Sequence, residues 1–412
     1  RRLAEELAEL VALRTNLTAG SFHAGLSEEA RNKNYDQFRK GALTVLCATK
    51  AFGMGMDIDN IHLIVHFGPP SSLEDYLQEI GRGARSQRCL EEGGLIEAFD
   101  KKVAASERKG RRPVYYRTKS DARFIIGIDF WVRSASIVIV NFSGEPVYKE
   151  VTELHDFIDA DQVVSVLKDL IEKSLQRSGV QRERLIGIGI GAPGRVDIET
   201  GTVVHYGRIR GMNNFSIKTP IEKSFGLPVY VHNNATVVAL SEYRYGVAAE
   251  KNNLLTVLIR SGVGGSFIND GTIFVTNNRT TLEIGHMTVD IHGRECECEH
   301  RGCLESYVSE EVLIHDIRET GVELNFDDLD HAIAAQNKKV LEVLNEKASI
   351  LAEGIYSLYQ LFGPDSFLLV SRSEALSNYL ADRIQQQLDW TSEAPAEEKC
   401  VVLPCKYDPI LA

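Results

Sequence analysis

The chain has 412 residues, is 43% hydrophobic and 8% aromatic, and carries a formal net charge of -12. That length allows two or three domains, each with its own core. Its longest apolar runs, such as "FIIGIDF" and "ASIVIVNF", are too short to span a bilayer. The acidic balance speaks against a surface that grips nucleic acid throughout and confines any such contact to a local basic patch.

The chain opens on Arg1, and its methionines (Met54, Met56, Met212, Met287) all lie inside motifs, so the start is expected to be cut rather than initiated. Nothing reads as a secretory signal, and cytoplasm is the expected compartment. From 1 to 88, a helical "RRLAEELAELVAL" leads through "FHAGLSEEARNKNYDQFRKG" to a strand-like "LTVLCAT", which predicts an α/β half-domain. "FHAGLS", "ATKAFGMGMDIDN" and "YLQEIGRGAR" resemble the second RecA-like lobe of RecQ-type DNA helicases. The resemblance implies that Arg82 and Arg85 are the arginines that reach nucleotide phosphates. In "GRGAR" the two small residues stand in the reverse of the usual order, which keeps both arginines. Such a motor also needs a Walker loop, G-x-x-x-x-G-K-[ST], on a first lobe. The sequence contains none, so a folded remnant without turnover is expected.

Residues 89 to 123 run from "CLEEGGLIEAFDKK" to "ERKGRRPVYYRTKSDAR". The end of a helix, a Gly-Gly stop and two short strands predict a β-hairpin, a wing, with Arg108, Lys109, Arg111 and Arg112 at its basic tip.

Beyond 124, "FIIGIDFWVRSASIVIVNFSGEPV" reads as two strands and a turn, and "ADQVVSVLKDLIEKSLQRSG" as an amphipathic helix. "RLIGIGIGAPGRVDIETGTVV" reads as a buried strand entering a loop, and "IEKSFGLPVYVHNNATVVALSEYRYG" as helix end, strand and helix. The stretch "EIGHMTVDIHGRECECEHRGCLE" then spaces His286, Cys296, Cys298 and Cys303 as H-x9-C-x-C-x4-C. Thiolates and an imidazole so close in sequence suit one tetrahedral zinc ion. A disulfide is the alternative, disfavoured because the cysteine count of seven is odd and Cys47, Cys89, Cys400 and Cys405 are scattered.

"GIGAPGRVDIETG", "GLPVYVHNNATVVALSE", "LEIGHM" and "CECEHRGCLE" resemble the ROK family of repressors and sugar kinases. The resemblance implies an actin-like, ribonuclease-H-like fold of two lobes, 124 to 245 and 246 to 412, with sugar between them. It makes His286, Cys296, Cys298 and Cys303 the ligands of a structural Zn2+, and Gly211, Asn233, Asn234, Glu283, His286 and Glu305 the sugar contacts. Four protein ligands leave no open metal position, which argues against a zinc hydrolase. Repressors of the family carry a winged helix ahead of the first lobe. Residues 89 to 123 are then a remnant whose arginines and lysine make weak DNA contacts.

Three departures bear on activity. Asn234 stands where the kinases place an aspartate as base, and an amide has no basic oxygen for that task. The family's D-x-G-G-T phosphate turn is "DFWVR", and its second glycine turn is "RSG" at Arg260 to Gly262. Side chains there remove the clearance that phosphate needs, so ATP is not expected to fit well. The expected function is a sugar-sensing transcriptional regulator that has lost kinase activity. The alternatives are a RecQ-type helicase component, a working sugar kinase, or fused reading frames without a joint function. A Gly-Ala-rich helix that the family packs on the first lobe is expected after "CVVLPCKYDPILA" and is missing. A homodimer and the identity of the sugar stay undecided.

Overall fold

A computed structural model describes residues 4, 8, 11, 18–23, 25–48, 94–99, 115–154, 158–249, 251–391 and 400–408. The chain divides into two compact units, 1–122 and 123–412.

In the first unit, β1 (Ala19–Phe22) pairs in parallel with β2 (Val45–Ala48), and α1 (Glu28–Arg39) makes the crossover. Ser27 caps that helix by accepting from the Ala30 N–H, and Glu28 and Glu29 face its positive end. Ala4, Ala8 and Val11 are helical at one-face spacing, with both alanines buried, which agrees with the helix expected there. The expected hairpin is present: β3 (Ile96–Phe99) pairs antiparallel with β4 (Tyr115–Thr118). Arg108, Lys109, Arg111 and Arg112, expected at its tip, and Arg82 and Arg85 lie outside the described residues.

The second unit repeats one topology. β5 (Phe124–Phe130), β6 (Ser134–Asn141) and β7 (Pro146–Glu153) form an antiparallel meander; β8 (Leu185–Ala192) and β12 (Val229–Asn233) then extend the sheet in parallel, in the order β12-β8-β5-β6-β7. Later in the chain, β13 (Asn253–Ile259), β14 (Val263–Asn269) and β15 (Thr272–Ile273) form the second meander, followed by parallel β16 (Ser366–Ser371) and β17 (Val401–Lys406). Their order, β15-β14-β13-β16-β17, is the same pattern. Between the two sheets, β9 (Arg195–Asp197), β10 (Thr202–His205) and β11 (Phe215–Ser216) make a small antiparallel sheet.

Helix α2 (Ala160–Ser178) shows why the first half closes. An Asp159/Gln162 capping box starts it, Gly179 at φ +71° ends it, and Val163, Val164, Leu167, Leu170 and Ile171 form one buried stripe. α3 (Lys218–Phe225) adds Ile221 and Phe225 to the same core. α4 (Asn234–Tyr245), by contrast, places Ala235, Val238 and Ala239 among Leu254, Leu258, Ile268 and Val370 of the second sheet. By packing, α4 therefore goes with the second sheet, and Asn233 and Asn234 stand where the two halves meet. The second core is finished by α5 (Glu305–Val308), α6 (Glu310–Glu319), α7 (Leu329–Ala334), α8 (Lys338–Phe362) and α9 (Glu374–Thr391). Among the described residues, no helix is long and apolar enough to cross a membrane.

Leu167 is fully buried in the α2 stripe. Leu167→Ala should cost about 2–5 kcal/mol in urea unfolding; a loss below about 1 kcal/mol would show that α2 does not carry the first core.

Candidate metal centre and interlobe site

After β15 the chain turns through a short 3-10 segment, Ile284–His286, and forms the loop that ends at Cys303. One ligand atom from each of His286, Cys296, Cys298 and Cys303 lies within 4.8 Å of the others. Cys298 Sγ is 3.6 Å from Cys303 Sγ, and Cys296 Sγ is 3.7 Å from His286 Nδ1. A tetrahedron with the usual Zn–S bond has an edge of roughly 3.8 Å, slightly shorter toward nitrogen. The four groups therefore fit one tetrahedral ion and can hold a metal. Partial burial opposes ionisation of Cys298, but hydrogen bonds from the His300 backbone and from Cys296, His300 and Cys303 outweigh it and lower its pKa to about 6.

The loop is braced from behind. Gly302, at φ +74°, donates to Arg294 O, and a Cβ there would stand 1.6 Å from Asp290 O, so only glycine fits. Arg294 reaches Asp316 at 2.9 Å, and Asp316 also pairs with Lys347, whose side chain is fully buried inside α8. Burial raises the Asp316 pKa, and the hydrogen bonds from Lys347 and Arg294 more than reverse that, so it is lowered.

The residues expected to meet sugar gather along the seam, with one exception. Glu305 Oε1 lies 3.2 Å from His286 Nδ1 and accepts from Cys296 Sγ at 3.1 Å. Its other oxygen is 3.1 Å from where a Cβ on Gly262 would stand, in the β13–β14 turn. Gly264, after that turn, approaches Asn233 Oδ1. Asn233 Nδ2 donates to Gly194 O at 2.7 Å, and its Oδ1 caps α4 through the Ala235 N–H. Burial pushes the Glu283 carboxyl up, Glu305 adds to the rise, and His286 and Arg195 oppose it. Yet Glu283 keeps solvent contact. Gly211 stands apart: exposed, at φ +79°, with Ala160 Cβ as the neighbour its missing Cβ would meet, at 3.8 Å.

At the end of β5, Asp129 is buried and fully engaged. Asn234 Nδ2 donates to one carboxylate oxygen and also to Phe130 O at 3.2 Å. The other oxygen accepts from Tyr407 OH and, at 3.1 Å, from Arg260. Arg260 is only 5% exposed; its guanidinium lies 3.6 Å from the Tyr407 ring centroid and 5.4 Å from that of Trp131. Burial works against its charge, and the Asp129 carboxylate more than restores it. Arg372 stacks on the same Trp131 ring at 5.4 Å and grips Glu310 through two nitrogens, at 2.7 and 3.0 Å. The sequence marks Trp131 and Arg260 as intruders in two glycine turns. That they close on each other around Asp129 was not visible, because Arg260 and Asp129 are 131 positions apart and no local pattern joins them.

Two like-folded lobes, each on a mixed five-stranded sheet, meeting at a polar seam, with a His/Cys3 loop in the second, define a protein with the actin-like sugar kinase fold. The chain belongs to the ROK family, which it matches over residues 125–408. Residues 1–87 match the helicase conserved C-terminal domain. Over 321 residues the chain is 27% identical to a xylose repressor of Caldicellulosiruptor bescii, covering 74% of this chain and 79% of the relative. It is also 27% identical over 283 residues to a glucokinase of Halalkalibacterium halodurans, covering 65% of this chain and 86% of the enzyme. The crystal structure of a ROK family transcriptional regulator, a homologue of E. coli Mlc, superposes with a TM-score of 0.68 at 23% identity, covering 82% of this chain and 89% of that one.

Arg260→Met leaves Asp129 buried without its cation, which should cost about 3–5 kcal/mol of stability in urea unfolding. Adding Asp129→Asn should recover part of that loss; two independent, additive losses would contradict the pairing.

Proposed function

We propose that this chain is a sugar-responsive transcriptional regulator of the ROK family, which binds a sugar at the seam of residues 123–412 and does not phosphorylate it. The observation that carries this reading is the engagement of Asp129 by Asn234, Arg260 and Tyr407. Repressors and kinases are alike among the relatives, at the same 27% identity, so overall similarity does not choose between them. The residues do. A kinase must take a proton from the sugar hydroxyl as phosphoryl transfer proceeds. Asn234 cannot accept it, and its amide nitrogen is already committed to Asp129 and Phe130. Arg260 and Trp131 fill the two turns whose backbone would have to approach phosphate.

In this reading His286, Cys296, Cys298 and Cys303 hold Zn2+, which fixes the loop and supplies no reactive position. With His286 Nδ1 turned to the thiols, the opposite ring nitrogen is directed away from the metal and available to a hydroxyl. Glu283 and Glu305 accept hydrogen bonds from sugar hydroxyls, and Asn233 and the Asn234 side-chain oxygen complete the set at the seam, with Gly211 standing apart from it. DNA would be contacted weakly through Arg108, Lys109, Arg111 and Arg112, by phosphate rather than base recognition. The helicase-like segment has no Walker loop in this chain to supply nucleotide to Arg82 and Arg85.

Protein purified without added metal should carry one zinc per chain, and Cys298→Ser should lose it. A panel of hexoses and pentoses screened by thermal shift should contain a stabilising sugar, because a ligand of the folded state raises stability with the logarithm of its concentration over Kd. Cys298→Ser should abolish that shift; a metal-free protein with an undiminished shift would refute the bracing role.

In a coupled assay with ATP and the same panel, no phosphorylation should be detected. Asn234→Asp alone should not restore it, since the phosphate turns remain filled. Turnover by the unmodified chain would establish the kinase reading instead.

A further inference from the structure

Four arginines, Arg133, Arg208, Arg260 and Arg372, converge near the seam, which suggests an anion site. Each already faces a carboxylate, respectively Glu311, Glu311 with Glu297, Asp129, and Glu310, so no surplus positive charge is left for a ligand. What they do instead depends on where the carboxylates sit.

Arg208 lies in the loop between β10 and β11, which is fastened to the first half. The Tyr206 N–H donates to Asn213 Oδ1, the Asn214 N–H to Val204 O, and the Ala160 N–H to Arg210 O. From that fixed base the Arg208 guanidinium crosses to the second half. One nitrogen meets Glu311 at 3.0 Å, in the first turn of α6; the other meets Glu297 at 3.3 Å. Glu297 stands between Cys296 and Cys298, so its backbone is held by whatever holds those two thiols. Arg133 reaches the second oxygen of Glu311 at 3.2 Å and turns that carboxylate toward Arg208. Arg279 and Glu199 also pair across the seam, and neither belongs to the metal loop of residues 286–303.

We propose that Arg208 is a positioning residue that ties the metal loop to the first half, so that retention of the metal and closure of the two halves depend on each other. The inference rests on the zinc reading above and extends it to the opposite half. Linkage makes the dependence reciprocal: whatever favours closure slows metal loss, and metal loss favours opening. The Arg208 side chain is 22% exposed, whereas Glu297 is 70% and Glu311 47% exposed, so salt should screen the coupling.

The test follows zinc release from the full chain to a colorimetric chelator at about 0.05 and about 0.5 M NaCl. Arg208→Ala and Glu297→Gln should release zinc about three-fold faster than wild type at low salt, the size expected for partly exposed ion pairs. Wild type should approach the variants as salt rises, while the variants stay insensitive. Arg208→Lys should restore part of the slow rate, and Arg279→Ala should leave it unchanged. Small-angle scattering should find zinc-loaded Arg208→Ala as expanded as wild type stripped of zinc. If Arg208→Ala does not fold, the exposed Glu297→Gln carries the test. Zinc held by wild type and released by both variants at the same rate would overturn this inference alone. A wild-type chain without zinc would overturn the metal reading and this inference with it.

Discussion

Taking the Arg260 guanidinium out of water costs several kcal/mol, and a carboxylate with good geometry offsets that cost. Asp129 supplies it, and Asn234 and Tyr407 satisfy its remaining lone pairs. The four groups come from distant places: the end of β5, the start of α4, the β13–β14 turn and the residue after β17. A single buried charge pair thus ties both sheets to the helix at their junction. Trp131 extends the arrangement, with both Arg260 and Arg372 within cation–π range of its ring. The same contacts occupy the turns through which a ROK kinase would approach nucleotide phosphate. In the reading proposed above, structural integrity and the absence of phosphoryl transfer have one cause.

The second fixed point is the metal loop. Its ligands come from 18 residues of chain, too few to bury a core of their own, and its backbone depends on Gly302, on Arg294 and on the Lys347–Asp316 pair. This explains a lysine in the interior of α8, where a charge without a partner would be costly. With four groups that can hold a metal on one side and Lys347 on the other, the loop presents His286 and Glu305 toward the β13–β14 turn. That turn lies beside Glu305 at Gly262 and beside Asn233 at Gly264, so the proposed sugar contacts and the Asp129 pair share it.

Much of this was legible in the sequence, for physical reasons that can be named. The stripe Val163, Val164, Leu167, Leu170 and Ile171 has helical period, and its caps, Asp159 and Gly179, are the residues a helix end requires. The metal ligands lie close in sequence and are of few residue types, so spacing alone brings them together. The hairpin of β3 and β4 was marked by its Gly-Gly stop. Long-range pairs were not legible. Arg208 with Glu297, Lys347 with Asp316 and Asp129 with Arg260 join residues that no periodicity relates, and each depends on how two elements finally pack. The packing of α4 was not legible for a related reason. α4 follows β12 directly, yet its small residues Ala235 and Ala239 fit the second sheet, and only packing reveals it.

If Asp129, Arg260 and Trp131 have replaced a nucleotide site, the chain should be indifferent to nucleotide. Titration calorimetry of the purified chain with adenylyl imidodiphosphate and magnesium tests that directly. The account predicts no saturable binding below about millimolar, where a productive site would contribute at least about 4 kcal/mol. A micromolar, saturable isotherm at one nucleotide per chain would contradict it, because it would require the Asp129 cluster to open and admit phosphate.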